Sequence, residues 1–579
     1  MYQDVFEFKG RNEAIGKRVG QLALNAALLA MLAACGGGGD VSGGESSAPA
    51  GQASVAAVSQ DTGGDKVANA SSMSPVAGQM VGRISYDNVP VSAHAGLDYA
   101  ATRQMPARGV MVEAVSASNV VIATTSTDEQ GHYTLAVPEG TEFKVRVQAR
   151  LLPSDKRWDV AVRDNRSAGY PQAAAAYAMS SSLQTISAAG GVLDLNAKSG
   201  WTGSAYGETR ASAPFAILDQ AYASMQYVRS FAPGTQFPAL TIYWSKDNRS
   251  AVGSYADGDI TSSNWSPAST GQAEGIYVLG KENLDSDEFD ASVLRHEWMH
   301  YFESKLSRSD SLGGAHAFGD KLDMRVAWSE GMASAMGAAI GGTSVFQDTK
   351  GLGQGQTSAF HVDVQPGAND RGFYSESSVQ YLVYQMAQMQ GGAEAVISTL
   401  LNEQKNTPSL TSLMSFAAGL STRMGSSAVD AVMAKVGLPV MQSINEWGAV
   451  VNYRAMVDGE KPAFRSLATG AAASRVCVSN EFVGYNKLDR HRPVRVDVTV
   501  AGNYSFKAPY LSGPTTSVAR VELYRVGQWQ PPKSALASEK TYYLQPGTYV
   551  AMLTDASMDQ GTAAPNTHAC FNASWEQVP

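Results

Sequence analysis

One pentapeptide constrains this chain more than any other feature: His296-Glu297-Trp298-Met299-His300, within the segment Asp290 to Glu303. On a helix, residues four apart differ by about 40° in direction and one turn in height, so both imidazoles reach a single ion. Glu297 lies about 100° round from His296, on the flank where it addresses a water on that ion without ligating the ion itself. Val293, Leu294 and Phe302 supply apolar neighbours for burial, and Asp287 or Asp290 is placed to cap the helix start. Zinc in hydrolytic sites takes three protein ligands and leaves one position open, so a third donor is expected elsewhere.

That donor is suggested by Ala327-Trp328-Ser329-Glu330-Gly331-Met332-Ala333. The segment resembles the second zinc helix of gluzincin metallopeptidases, in which a Glu followed by Gly, a large apolar residue and Ala completes the site. The resemblance implies Zn2+ bound by His296, His300 and Glu330, with Glu297 as general base, in an endopeptidase acting on protein or peptide substrates. A metzincin is excluded, because the third His and the Gly it needs are Leu306 and Glu303 here. His316 is a rival third ligand. Some gluzincins place an Asp where Ser334 stands, so the groups orienting the histidines stay open, with Asp323 and Glu303 as candidates. Phe373 to Val383 resembles the later helix that carries the oxyanion donor in this family, which makes Tyr374 the leading candidate over Tyr381 and His361. No Gly-x-Met-x-Asn segment of the aminopeptidase kind is present. The alternative is a peptidase fold retained as a binding or adhesion module, and the intact Glu297 speaks against it.

The chain has three Cys, an odd number. Lys17 and Arg18 precede an apolar stretch ending Leu32-Ala33-Ala34-Cys35, the pattern of a secretory signal. This ending resembles the lipobox of bacterial lipoproteins, which implies removal of residues 1–34 and acylation of Cys35. The expected location is the bacterial cell envelope, at the outer membrane or cell surface, with a lipid membrane as partner. Residues 35–76 are rich in Gly, Ser and Ala and read as a flexible tether. Cys477 and Cys570 are then an even pair in a secreted protein and are expected to form a disulfide. With 44 Lys+Arg against 53 Asp+Glu, net charge −9, a nucleic-acid partner is not expected.

Composition along the chain divides the remainder. Residues 77–152 are rich in short β-branched runs, and Thr127-Asp128-Glu129-Gln130-Gly131-His132-Tyr133 resembles the turn-strand of carboxypeptidase regulatory-like sandwiches. A connecting region is expected at 153–204 and an α+β unit at 205–455, its strands early and its helices late. Residues 465–579 return to strands, and Gly-x-Tyr-x-Phe with Pro-Gly-Thr-Tyr-Val resembles the pre-peptidase C-terminal sandwich. The expected fold is therefore multidomain: an α+β gluzincin-like metallopeptidase domain flanked by two β-sandwich modules. The acidic turns at Asp257-Gly258-Asp259 and Asp285-Ser286-Asp287-Glu288 have the residue types to touch calcium, but short acidic turns are more often solvated loops and are read so here.

Overall fold

The computed structural model describes residues 57–59, 74–207, 209–438, 445–448, 463–536 and 538–579. The expected signal segment 1–34, Cys35 and most of the expected tether lie outside the described residues. Within the tether, Ala57–Ser59 is a short strand paired in parallel with Ala178–Ser180.

An eleven-stranded sheet forms the floor of the larger body. Its path continues from Ala178–Ser180 through Glu142–Leu151, Val160–Asp164, Leu240–Trp244 and Gly275–Val278 to Asn264–Ser266 at the end. Val160–Asp164, Leu240–Trp244 and Gly275–Val278 run parallel. Parallel neighbours need a crossover, and helix α1 (Ala213–Phe231) supplies the first. Its buried Phe215, Ile217, Leu218, Ala221, Met225 and Val228 recur at helical spacing.

This sheet crosses two expected boundaries. Glu142–Leu151 alternates buried and more exposed positions along ten residues, and Leu151 faces Val110 on one side and Val160 on the other. A strand of that length has backbone groups for partners on both edges. The expected sandwich 77–152 and connecting region 153–204 are therefore continuous with the unit expected at 205–455, and one hydrophobic core runs from Met80 through Trp298 to Met386.

Three helices stack above the sheet: α2 (Ala291–Lys305), α3 (Met324–Gly341) and α4 (Glu376–Ala387). Nearly every residue of α3 is buried, so it is a central helix with no solvent face. Small residues set how closely its neighbours approach. A Cβ on Gly337 would lie 3.3 Å from the backbone nitrogen of His296 in α2. A Cβ on Gly331 would lie 2.6 Å from Val379 and 2.7 Å from the Glu376 carbonyl oxygen in α4.

The C-terminal unit has two layers. One sheet pairs Arg492–Val498, Gly547–Asp555 and Ala519–Arg525; the other pairs Ser474–Ser479, His568–Val578 and Gly502–Lys507. Val476, Val494, Tyr504, Phe506, Leu523, Tyr549 and Trp575 fill the space between them, a sandwich-like packing. Cys477 and Cys570 face each other in register on adjacent strands and form a disulfide.

Replacing both cysteines by alanine removes a cross-link between positions 93 residues apart. The double variant is expected to lose roughly 2–5 kcal/mol of stability in this unit. Calorimetric melting under oxidising conditions checks it, and an unchanged transition would mean the bond contributes nothing there.

Candidate metal centre

Helix α2 starts at Asp290, but the Asp290 carboxylate does not cap its own helix. It accepts instead from the backbone N–H of Thr349 at 2.8 Å and from the Thr349 hydroxyl. Leu294, Trp298, Met299, Tyr301 and Phe302 bury one side of the helix. His296 and His300 point from it towards α3, where Glu330 meets them.

The three donors converge. His296 Nε2 lies 3.0 Å from His300 Nε2, and Glu330 Oε2 lies 3.3 Å and 3.2 Å from the two nitrogens. Zinc bonds of about 2.0–2.1 Å at tetrahedral angles put ligand atoms roughly 3.3 Å apart, so this triangle has the size a zinc ion requires. Two imidazoles and one carboxylate also form a donor set that zinc accepts.

The outer nitrogens of both histidines are held by serines that α3 supplies. Ser334 Oγ lies 3.1 Å from His296 Nδ1, at the position where some gluzincins carry an Asp. Ser329 Oγ lies 3.2 Å from His300 Nδ1 and donates its proton to Glu303 Oε2 at 2.6 Å. A hydroxyl has one proton to give, so towards His300 it accepts. When neutral, His300 then carries its proton on Nδ1 and turns the lone pair of Nε2 to the metal position. Of the two candidate orienting acids, Glu303 acts through Ser329. Asp323 is committed elsewhere: it caps α3 and binds Arg325 at 2.8 Å.

Glu297 is 7% exposed, and its Oε2 accepts the backbone N–H of Trp265 at 2.8 Å. Trp265 sits on the edge strand Asn264–Ser266, so sheet and helix together fix this carboxylate. Burial pushes the Glu297 carboxyl above its ordinary range, against the pull of His296 and His300. Burial would also raise Glu330, but His300, His296 and His316 hold it well below the usual carboxylate range. Burial opposes charge on His300, yet Glu330 outweighs it and brings the imidazole up to about 9.

His316 reaches the same carboxylate from a loop. Its Nε2 lies 3.3 Å from Glu330 Oε2 and its Nδ1 lies 2.9 Å from Glu376 Oε2. Burial works against its charged form, but the two carboxylates overcome this and raise it to about 11. The convergent third donor is thus Glu330, with His316 beside it. The Tyr374 ring lies beneath the Lys321 ammonium and meets Phe373 edge-on. Tyr381 packs within α4, and His361 is exposed at the end of Gln356–His361.

No protein-family model and no curated protein matches the chain. Among solved structures, it is similar to the pre-peptidase C-terminal domain of a collagenase from Bacillus anthracis. That match has 11% identity and a TM-score of 0.14, covering 20% of this chain and 99% of the other. The periplasmic inhibitor of g-type lysozyme from Aeromonas hydrophila matches at 10% identity and TM-score 0.12, covering 20% and 100%. A cycloisomaltooligosaccharide glucanotransferase from Paenibacillus matches at 11% identity and TM-score 0.11, covering 86% and 72%. None of these likenesses is close enough to assign a fold or an activity.

Sequence reasoning passed over the clasp on the His316 loop. Asn486 Nδ2 donates to the carbonyls of Gly313 and Ala315 at 2.8 and 3.2 Å, and Lys487 Nζ reaches Ala315 O at 3.0 Å and Asp320 at 2.9 Å. The C-terminal unit therefore holds the loop that carries His316. Asn486 and Lys487 lie in a turn-rich stretch with no periodic pattern, which leaves no local signal for such a contact.

Ser329→Ala removes the acceptor that fixes the His300 tautomer. Zinc affinity is expected to fall about 10- to 100-fold. Competition with a chromophoric chelator measures it, and wild-type affinity would show that the serine does not orient His300.

Proposed function

We propose that the chain is a zinc-dependent endopeptidase with Glu297 as its general base. The observation that carries this reading is the triangle of His296, His300 and Glu330 with Glu297 fixed beside it by Trp265. A zinc ion held by these three side chains supplies Lewis acidity to a substrate carbonyl and to water at neutral pH.

The protein's own groups do the rest. Glu297, made more basic by burial, takes a proton from the attacking water and passes it to the leaving amine. His316, held protonated between Glu330 and Glu376, spends both ring N–H groups on those carboxylates and contributes positive charge beside the metal position. Tyr374 remains the candidate donor to the oxygen on which negative charge develops. Asn264–Ser266 ends its sheet beside Glu297, so an extended peptide can lie along the edge with residues on both sides of the reacting bond. That placement supports internal cleavage of a protein or peptide over trimming of a terminus.

Glu297→Gln preserves shape and ligands while removing the base. The variant is expected to retain one zinc per chain and to lose about 10²- to 10⁴-fold in hydrolysis of an unstructured substrate such as casein. Cleavage at the wild-type rate by the variant would sink the assignment. Zinc binding by the wild type without any cleavage across a peptide library would favour the binding-module reading instead.

Anchoring to a bacterial envelope through acylated Cys35 is proposed on the Leu32-Ala33-Ala34-Cys35 segment alone. Radiolabelled palmitate fed to expressing cells is expected to enter the wild type and not Cys35→Ser. Equal labelling of both would overturn it.

A further inference from the structure

A second polar cluster lies at the start of α2, away from the histidines. Asp285 and Asp287 are on the segment entering the helix, and Asp348 is on the strand Val345–Lys350. These three bring carboxylate oxygens within 4.8 Å of one another. The sequence expectation for this turn was a solvated loop, and the structure buries it: Asp287 is only 2% exposed. The reason is its place between α2 and the strand pair Val345–Lys350 and Gln356–His361, which covers it.

Among the described residues, two oxygens of this cluster lack donors. Asp287 Oδ2 accepts from the Ser263 hydroxyl, but its Oδ1 is buried with no hydrogen-bond partner. Asp285 Oδ1 is buried and unpartnered in the same way. Gln354, 0% exposed, gives its Nε2 to the Thr349 carbonyl at 3.1 Å and leaves Oε1 without a donor beside this strand pair. Buried acceptors facing one another without donors are costly unless positive charge lies among them. The protein supplies little of it. Arg210 is committed to Glu288 at 2.7 Å, and Lys350, although its charge reaches Asp285 and Asp348, is exposed to solvent. Burial, then the charge of Asp348, pushes the Asp285 carboxyl up to about 6. Burial, then Asp285, Asp290 and Asp348, raises Asp287 as well.

We infer that Asp285, Asp287 and Asp348 form a second cation site, of the calcium type, that fastens the start of α2 to the strand Val345–Lys350. The donors are all oxygen, which suits a hard cation and not a second zinc. Oxygens bound to one calcium at about 2.4 Å lie no more than about 4.8 Å apart, a limit the cluster does not exceed, and calcium tolerates uneven geometry that magnesium does not. The same strand carries Phe346, whose ring meets that of His296 edge-on at 6.0 Å. The ion would thus brace the wall of the metal centre without entering it. This inference is independent of any peptidase activity.

The test uses the full chain loaded with zinc and followed by thermal melting. Calcium at about 1–10 mM is expected to raise the melting temperature by roughly 5 °C. Tb3+ is expected to give luminescence sensitised by nearby Tyr and Trp that calcium displaces. Asp348→Asn, on a half-buried strand position, removes one ligand and one repulsion. It is expected to melt no lower than the wild type in calcium-free buffer, yet to show no calcium response and weakened Tb3+ binding. Asp287→Asn provides the same readout at the buried position. A wild type that neither shifts with calcium nor binds Tb3+ would overturn the inference, as would an undiminished calcium response in Asp348→Asn.

Discussion

Glu330 is a carboxylate on a helix whose other residues are almost all buried and largely apolar, and a buried charge survives only where opposite charge or strong donors meet it. Much of the surrounding architecture answers that requirement. His296 and His300 approach from α2, and His316 approaches from a loop. The approach distance is set by absent side chains: Gly337 admits the backbone of α2, and Gly331 admits that of α4. Ser329 and Ser334, one residue before Glu330 and one turn after it, hold the outer nitrogens of the two histidines. One helical segment thus carries a ligand, both orienting hydroxyls and the small residues that allow close packing.

The same demand reaches into the C-terminal unit. His316 lies on a loop with few apolar anchors, and loops of that kind open easily unless their backbone groups are satisfied. Asn486 and Lys487 satisfy the carbonyls of Gly313 and Ala315 from outside the helical layer. Leu322 also bridges to Lys487, and the Asp323 N–H bonds to Asn486 O just before α3 begins. The position of His316 therefore depends on the packing of a sandwich whose own core is separate.

The predicted loss on Glu297→Gln rests on the part of the molecule that was most legible from sequence. His296, Glu297 and His300 are readable because helical geometry turns a local spacing into a spatial one. Glu330 was reachable only through a resemblance, since its distance from the histidines is set by how α2 and α3 pack. Ser334 was marked by the resemblance only as a place where some gluzincins carry an Asp, and Ser329 carries no sequence signal, because a serine in a helix is ordinary until a histidine faces it. The boundary at 152 misled for a related reason: the alternation of Glu142–Leu151 shows that its two faces differ, but not which strands take its two edges. The acidic turn misled because charge density predicts exposure only until another element covers it, and the element here lies some sixty residues further on, in Val345–Lys350.

The two polar clusters associated with α2 pose the same electrostatic problem with opposite chemistry. Around Glu330, protons can serve in place of metal: the imidazoles of His300 and His316 are held charged by the carboxylate between them. A zinc ion entering there must displace protons, so its binding is coupled to proton release. Around Asp287 the groups are carboxylates, whose raised affinity for protons answers mutual repulsion and burial. A cation entering there also displaces protons, but it relieves repulsion where zinc replaces attraction. Asp290 and Thr349 connect the two regions, since Asp290 begins the helix that carries the histidines and Thr349 follows Asp348 directly. The aspartates are thus joined to the helix start through the Asp290–Thr349 hydrogen bonds, and their strand reaches the side of His296 through the Phe346 ring.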